Sequence, residues 1–382
     1  MKVLSLFDGI SCGMVALERA GIPIERYVAY EVDKYAIKVS QKNYPQIEQC
    51  GDVTTADFTK YKGFDLLIGG SPCTFWSIAK SNRETTPDGI GSQLFMQYVR
   101  ALKESGCKYF LYENNYSIHK NIKAFISKQL GVEPIMINSA LVSAQQRKRC
   151  YWTNIPDVRQ PSDKGILLKD ILQSGLDLTG RDKSYCITAS YNGAVVFNTL
   201  ERKQRTMIAE PVILQRSHGF NKGGLKKEKA PTVTTNGSYQ YNNYCCEPVR
   251  IGHIGKSSAQ ANRVYSANGK SVCLQSQVGG GGAKTGLYLC PIDNDKDKLI
   301  PVYEVKNGFI TVKDKKYPIS LPDGLYIIRK LTPTEAERLQ TLPDDYTDGI
   351  SNTQRYKCIG NGWTVDVIAH IFKSLGVINN DV

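Results

Sequence analysis

The sequence predicts an α/β protein, a mostly parallel, doubly wound sheet interrupted by a basic, loop-rich module. Three observations carry that prediction. Over residues 1–156 short apolar runs alternate with amphipathic segments. From about Pro156 the helical patterns fade, while Gly, Ser, Thr, Asn and Tyr crowd around short β-like runs. The α/β texture then returns at Arg329. The expected division is a first domain of residues 1–156 plus 329–382, with residues 157–328 inserted as a second.

The candidate strands are the short apolar runs at residues 2–7, 27–31, 65–68, 109–112, 135–138 and 150–154. Between them apolar residues recur at helical spacing over 14–20, 33–43, 95–105 and 118–130, and again over 333–341 and 365–375. A strand, helix, strand succession needs crossovers, which make neighbouring strands parallel. The inserted stretch carries a weak repeat: Lys183-Ser-Tyr-Cys-Ile-Thr, Lys229-Ala-Pro-Thr-Val-Thr and Lys270-Ser-Val-Cys-Leu-Gln, with starts 46 and 41 residues apart. Glu210-Pro-Val and Glu247-Pro-Val echo one another. The glycines at 279–282 read as a flexible or close-approach loop, because no Gly-Lys-Ser/Thr follows to make a phosphate cradle.

Composition narrows the class. With 382 residues, 41% hydrophobic and 22% charged, the chain can bury a sizeable core and is not read as disordered. Asp8 interrupts the first apolar run before a signal peptide could form, and no run approaches the roughly 20 residues of a membrane span. The expectation is a soluble, intracellular protein. Eleven cysteines without a Cys-x-x-Cys pair fit a reducing compartment and argue against structural zinc; the four histidines show no ligand spacing. The net charge is +13, and residues 181–290 hold 15 Lys and Arg against 5 Asp and Glu. A basic segment beside a nearly neutral remainder suits a polyanion, whose neutralised phosphates release counterions.

Phe7-Asp8-Gly9-Ile10-Ser11-Cys12-Gly13 follows the first strand, where glycines let backbone approach a ligand at the carboxyl ends of the strands. The spacing is not Gly-x-Gly-x-x-Gly, which disfavours a dinucleotide. Glu31 ends the next strand, placed to accept from ribose hydroxyls, and Gly51-Asp52-Val53 could meet an adenine edge, although taken alone these turns read equally as plain β-α connections. Gly69-Gly70-Ser71-Pro72-Cys73 ends another strand, making Cys73 a candidate nucleophile fixed by proline. Glu113 follows a strand, and Gln145-Gln146-Arg147-Lys148-Arg149 precedes one. A thiol, a carboxyl and a guanidinium at strand ends can converge on one pocket.

These motifs, followed by Arg329-Lys-Leu-Thr-Pro-Thr-Glu-Ala-Glu-Arg-Leu-Gln and Gly360-Asn-Gly-Trp-Thr-Val, stand in the order found in C5-cytosine DNA methyltransferases. The chain resembles that family over residues 1–156 and 329–375, and the middle corresponds by position to its target-recognition domain. The resemblance implies a Rossmann-like S-adenosylmethionine-dependent methyltransferase domain with an inserted, mostly β/loop target-recognition domain. It implies transfer of a methyl group to C5 of a flipped cytosine through a Cys73–C6 adduct. Glu113 would serve N3, Arg149 would hold O2, and Arg147 would help position the base or phosphate. Phe7, Asp8, Gly9, Ile10, Glu31, Val32, Asp52, Val53, Pro72, Asn361, Gly362 and Trp363 would line the S-adenosyl-L-methionine site. Residues 74–93, with Ser77, Lys80 and Arg83, occupy the position of the family's mobile catalytic loop.

Three departures from the family pattern are Thr74-Phe75-Trp76 after Pro-Cys, where Gln is common, Asn115 where Val is usual, and a basic module that matches no known target-recognition pattern. The expected partner is double-stranded DNA. No metal and no membrane are expected, the state is a monomer, and the setting is the cytoplasm of a bacterium or phage-infected host, with restriction-modification as one context. Two other readings stand beside this one. An RNA cytosine-5 methyltransferase would use the same scaffold, against which the long basic insertion favours a duplex. A catalytically silent nucleic-acid-binding homologue would not need Cys73, Glu113 and Arg149 together.

Overall fold

Alternation of apolar runs with amphipathic segments builds one seven-stranded sheet. A computed structural model describes residues 1–78, 82–215, 224–226, 243–244, 264–266, 287–291 and 299–378. Its first strands are β1 (Lys2–Leu6), β2 (Arg26–Tyr30), β3 (Glu48–Gln49), β4 (Leu66–Gly69), β5 (Tyr109–Asn115), β6 (Ile135–Asn138) and β7 (Lys148–Thr153). They are ordered β3-β2-β1-β4-β5-β7-β6. β1 runs parallel to β2 and β4, and β4 to β5, while β7 is antiparallel to both its neighbours. The reversal follows from connection: residues 139–147 join β6 to β7 without a crossover helix.

The sheet is covered on both faces by α1 (Cys12–Arg19), α2 (Lys34–Asn43), α3 (Ile90–Ser105), α4 (Lys120–Leu130) and, after α5 (Pro333–Leu339) and α6 (Asn352–Asn361), which pack on each other, α7 (Val365–Ile378). Val3, Leu66, Ile68 and Leu111 pack in one cluster with Val15, Leu17, Ile368 and Phe372. Leu4, Leu6, Leu67 and Tyr112 pack in another with Phe95, Tyr98, Ile122 and Ile126. Successive strand residues point to opposite faces, so a strand buried twice reads as a continuous apolar run. The chain leaves β1 toward β2 and leaves β4 toward β5, although β1 and β4 are neighbours. Their following loops diverge, which opens the crevice where such sheets bind ligands.

The chain returns through a capped helix. Thr332 Oγ1 accepts from Glu335 N (3.1 Å), Glu335 Oε2 accepts from Thr332 N (2.7 Å), and Pro333 needs no partner at the first helical position. Helix α6 was not expected from the sequence. Its buried residues Tyr356, Cys358 and Ile359 are too few to give a long apolar stripe.

The chain divides into two compact units, Met1–Ile171 with Asp182–Gly193 and Thr332–Val382, and Leu172–Arg181 with Ala194–Leu331. The first unit takes in residues 157–171 and 182–193, which texture alone groups with the insertion. The reason lies in backbone contacts that composition does not display. Gln145 bridges Ser184, and a Cβ on Gly360 would lie 2.1 Å from Ala189 N, so only glycine fits there. The second unit has an antiparallel sheet ordered Lys315–Pro318, Phe309–Val312, Val302–Lys306, Gly324–Lys330, Met207–Pro211 and Leu176–Asp177. Val212, Val302, Leu325 and Ile327 form its buried cluster. Arg329 belongs to this sheet and pairs with Glu210 at 2.6 Å, so the first unit resumes at Thr332, three residues beyond the expected return.

The repeat copies at Lys229 and Lys270, Glu247-Pro-Val and residues 279–282 lie outside the described residues. Among the described residues no helix is long and apolar enough to cross a membrane.

Glu337 is 0% exposed and accepts from Arg355 Nη2 (2.9 Å), Asp345 N (2.8 Å) and Thr347 N (2.9 Å). Removing the cation would strand a buried carboxylate. Arg355→Ala is expected to lower stability by about 3–5 kcal/mol. The measurement is a fall in the urea midpoint at unchanged m-value.

Candidate active site

The turn after β1 is built from backbone conformations that most side chains avoid. Phe7, Gly9 and Ser11 have φ of 56°, 62° and 58°. Asp8 holds them there: its carboxylate accepts from Ser5 Oγ (2.6 Å), Tyr27 OH (2.7 Å) and Ser11 Oγ. Burial raises the Asp8 pKa above the ordinary value, against the pull of those hydrogen bonds. Asp8 therefore shapes the turn from within, whereas the resemblance places it among the residues facing the cofactor.

Glu31, at the end of β2, accepts from Gly9 N at one oxygen and from Val32 N and Asp33 N at the other, each at 2.8 Å. Phe7, Gly9, Glu31 and Val32 are thus gathered at one strand edge, with Val32 71% exposed and open space beside Gly9. Ile10 is buried, and its carbonyl accepts from Tyr346 OH (2.7 Å). Asp52 is exposed and caps the next turn by accepting from Thr54 N (2.8 Å), with Val53 buried beneath. A carboxylate, an exposed apolar side chain and a turn without a Cβ fit a ribose and an aromatic base. Among the described residues no cluster of His, Cys, Asp and Glu could hold a metal ion.

The second group lies at the ends of β4 and β5. Cys73 opens a short 3₁₀ turn, Cys73–Phe75, directly after exposed Pro72. Ser71 Oγ and Tyr112 OH share a hydrogen bond (2.6 Å), and Asn114 Nδ2 donates to Ser71 O (3.3 Å), which tie the turn to β5. A Cβ on Gly70 would stand 2.9 Å from Glu113 O, so glycine is what lets the two strand ends approach. Glu113 is gripped from two sides. Arg149 Nε lies 2.9 Å from Glu113 Oε1, and Trp363 Nε1 donates to Glu113 Oε2 (3.0 Å). Glu113 and Arg149, expected to converge, are in contact. Trp363, expected only beside the cofactor, is also a partner of the carboxylate, and Asn361 and Gly362 precede it with Asn361 exposed.

Arg147 is used differently from its neighbour. It is 5% exposed, and its guanidinium donates to Ile187 O (3.0 Å), Gly360 O (3.2 Å) and Gly362 O (2.9 Å). Those bonds turn it toward backbone carbonyls, where the resemblance has it meeting a base or phosphate. Arg147 Nη1 also donates to Cys186 Sγ (3.3 Å). Burial raises the Cys186 thiol, but the charges of Arg147 and then Arg149 outweigh it and hold the pKa below the ordinary value. Cys186 was missed by sequence reasoning. Its one signal was membership of the weak Lys183-Ser-Tyr-Cys-Ile-Thr repeat.

The stem of the expected catalytic loop is anchored. Trp76 is fully buried, its Nε1 donates to Glu84 Oε2 (3.0 Å), and Gly91 N donates to the same oxygen (3.2 Å). The third residue beyond Cys73 is thus a core side chain, while nothing in the structure explains Thr74. Arg83 Nη1 donates to Ser117 O (2.9 Å), and Ser77 is half-buried. Lys80 lies outside the described residues.

The model of the family described as C-5 cytosine-specific DNA methylase matches residues 1–377. The orphan methyltransferase M.SPRI of Bacillus phage SPR is 28% identical, over 98% of this chain and 97% of its own. The orphan methyltransferase M.Rho11sI of Bacillus phage rho11s is 27% identical over the same shares. Among solved structures, the Entamoeba histolytica methyltransferase EhMeth aligns with a TM-score of 0.57 at 13% identity, over 99% of this chain and 98% of its own. The S. pombe Dnmt2 methyltransferase gives 0.51 at 14% identity, over 99% of each chain. At such identities the structures speak to the fold, a Rossmann-like methyltransferase fold. With sequence order, sheet and family match agreeing over residues 1–377, the chain belongs to the C-5 cytosine-specific DNA methylase family and is a DNA cytosine methyltransferase.

Proposed function

We propose that the chain moves a methyl group from S-adenosylmethionine to C5 of a cytosine everted from duplex DNA, with Cys73 as the nucleophile. The observation that supports this best is Glu113 clamped by Arg149 and Trp363 beside the turn that carries Cys73. C5 of cytosine is a poor nucleophile. Addition of the Cys73 thiolate to C6 breaks the C5–C6 π bond and makes C5 electron-rich. Electron density moves toward N3 as the C–S bond forms, and Glu113 meets that edge with a hydrogen bond or a proton. Arg149, fixed by the same carboxylate, holds O2.

Phe7, Gly9, Ile10, Glu31, Val32, Asp52, Val53, Pro72, Asn361, Gly362 and Trp363 would hold S-adenosylmethionine, with Glu31 toward ribose hydroxyls and the turn held in shape by Asp8. When bound, it supplies an electrophilic methyl group on a sulfonium. After C5 accepts that methyl, its proton passes to water and the C–S electrons return to Cys73, restoring the aromatic ring. Eversion of the nucleotide costs a few kcal/mol. The resemblance gives the stretch around Ser77, Lys80 and Arg83 the role of closing behind it, and the anchoring of Trp76 by Glu84 supports a fixed stem for that stretch. The second unit, with much of the basic segment, is the reader of the duplex.

Native chain and Cys73→Ser are compared with tritiated S-adenosylmethionine and duplex DNA, RNA or no polymer. Labelling of DNA by the native chain alone is the expected outcome, and labelling confined to RNA overturns the substrate. DNA carrying 5-fluorocytosine should trap the chain, because fluorine cannot leave as a proton does. Because the Cys186 thiol lies against both arginines, the trapped peptide is sequenced by mass spectrometry; an adduct on Cys186 refutes the assigned nucleophile. Glu113→Gln should lose about 10²- to 10⁴-fold in kcat, the usual worth of a positioned proton donor. Peptide-resolved alkylation over a pH series checks the electrostatics. Cys186 should react with a midpoint below the ordinary thiol value of 9.0, rising in Arg149→Gln.

A further inference from the structure

The geometry points to a phosphate-binding platform made of Tyr116, Lys123 and Lys148, which takes the sugar-phosphate backbone of the DNA strand that delivers its cytosine to the pocket. This inference rests on the DNA reading above and specifies where the strand is held.

Lys123 Nζ lies 4.5 Å and Lys148 Nζ 5.8 Å from the centroid of the Tyr116 ring. Tyr116 is 41% exposed, so its ring is open to solvent as well as to the two ammonium groups. Both ammonium groups lie within cation–π reach of one ring, and among the described residues neither has a carboxylate partner. A phosphodiester passing over the ring would give them an anionic partner. The surroundings hold little else to do so: residues 116–149 contain six Lys and Arg and a single acidic residue, Glu133. An isolated exposed anion would be screened by salt, whereas a polyanion also releases condensed counterions on binding.

Topology places the platform at the same end of the sheet as the reacting centre. Asn115, the last residue of β5, pairs with Arg149, so Tyr116, in the turn that follows, and Lys148, the first residue of β7, come together at that end. Glu113 is three residues before Tyr116, and Arg149 directly follows Lys148. Arg83, on the segment after Cys73, donates to the carbonyl of Ser117 at 2.9 Å. Arg83, Tyr116, Lys123 and Lys148 therefore gather at the end of the sheet where the neighbouring strand residues Glu113 and Arg149 face the other side. The ring serves by fixing two otherwise mobile ammonium groups, a task that needs an aromatic face and not a hydroxyl.

Lys123→Gln/Lys148→Gln, Tyr116→Ala and Tyr116→Phe are compared with the native chain by fluorescence anisotropy on methylatable duplex DNA over a series of NaCl concentrations. Lys128→Gln, an exposed change of like charge in the last turn of α4, is the control. Melting curves check that each variant folds. The slope of log K against log salt should fall by about 2 in the double lysine variant, about 1 for each phosphate that is no longer neutralised. Tyr116→Ala should weaken binding, Tyr116→Phe should match the native chain, and Lys128→Gln should keep the native slope. A double variant with the native slope, or no steeper loss than Lys128→Gln, overturns the platform while the DNA reading stands. A native chain that neither binds nor methylates DNA overturns the parent reading and the platform with it.

Discussion

The Arg147 guanidinium donates to Ile187 O, Gly360 O and Gly362 O, carbonyls from two segments far apart in sequence. A buried cation without acceptors is strongly unfavourable, so these bonds fix the segments as firmly as they fix the arginine. A lysine could not substitute: its ammonium is a compact point charge, whereas the planar fork reaches carbonyls on different sides. Gln145 reinforces the tie. Its Nε2 donates to Leu339 O (2.6 Å) and Gln340 Oε1 (2.8 Å), and its Oε1 accepts from Ile187 N (3.1 Å). The rest of the site inherits this geometry. Arg149 stands two residues beyond Arg147, and Trp363 directly follows the Gly362 carbonyl that Arg147 holds. Both groups that grip Glu113 are therefore placed from one buried guanidinium.

Much of the scaffold was legible because its signal is local. β1 carries apolar residues on both faces, and Val3 and Leu4 do pack into opposite clusters. Asp33, where the helical pattern of residues 33–43 begins, is the cap of α2 and accepts from Tyr35 N (2.9 Å). What was not legible depends on partners that leave no mark on composition. The antiparallel sense of β7 is one case, since a strand's pattern carries no direction. Segment 182–193 is another, because it joins the first unit through Ile187 N and O and the Ala189 backbone. In the site, a thiol, a carboxyl and a guanidinium were expected to converge, whereas the pairing of Glu113 with Arg149 and the turning of Arg147 toward backbone carbonyls were not foreseen. Residues two apart in extended chain point the same way. Only the position of the Gly360 and Gly362 carbonyls decides which arginine is sunk and which reaches the carboxylate. Asp8 makes the same point: its place in the turn was clear, but its engagement with Ser5, Ser11 and Tyr27 was not.

The two arginines also differ electrostatically, and the difference bears on the chemistry. Arg149 is paired with Glu113, so its charge is largely cancelled at a distance. Among the described residues Arg147 has no carboxylate; its partners are carbonyl dipoles and the Cys186 sulfur. Dipoles solvate a cation without cancelling it, so a net positive potential persists around the strand ends. Cys186 reports that potential. Burial alone would push its thiol up, yet the thiol is held down, with the charge of Arg147 the larger of the two lowering influences. A unit charge about 4 Å away is worth roughly 4 kcal/mol at an effective dielectric of about 20, enough to override a moderate desolvation penalty. In the mechanism proposed above, the same field would favour the negative charge that forms at this end of the sheet, on a thiolate or on a pyrimidine that has gained an electron pair. It is set before substrate arrives and needs no rearrangement during reaction, which is the property that makes fixed dipoles and charges more effective than water. The backbone carbonyls that make Arg147 a structural tie thus also leave its charge available to the chemistry.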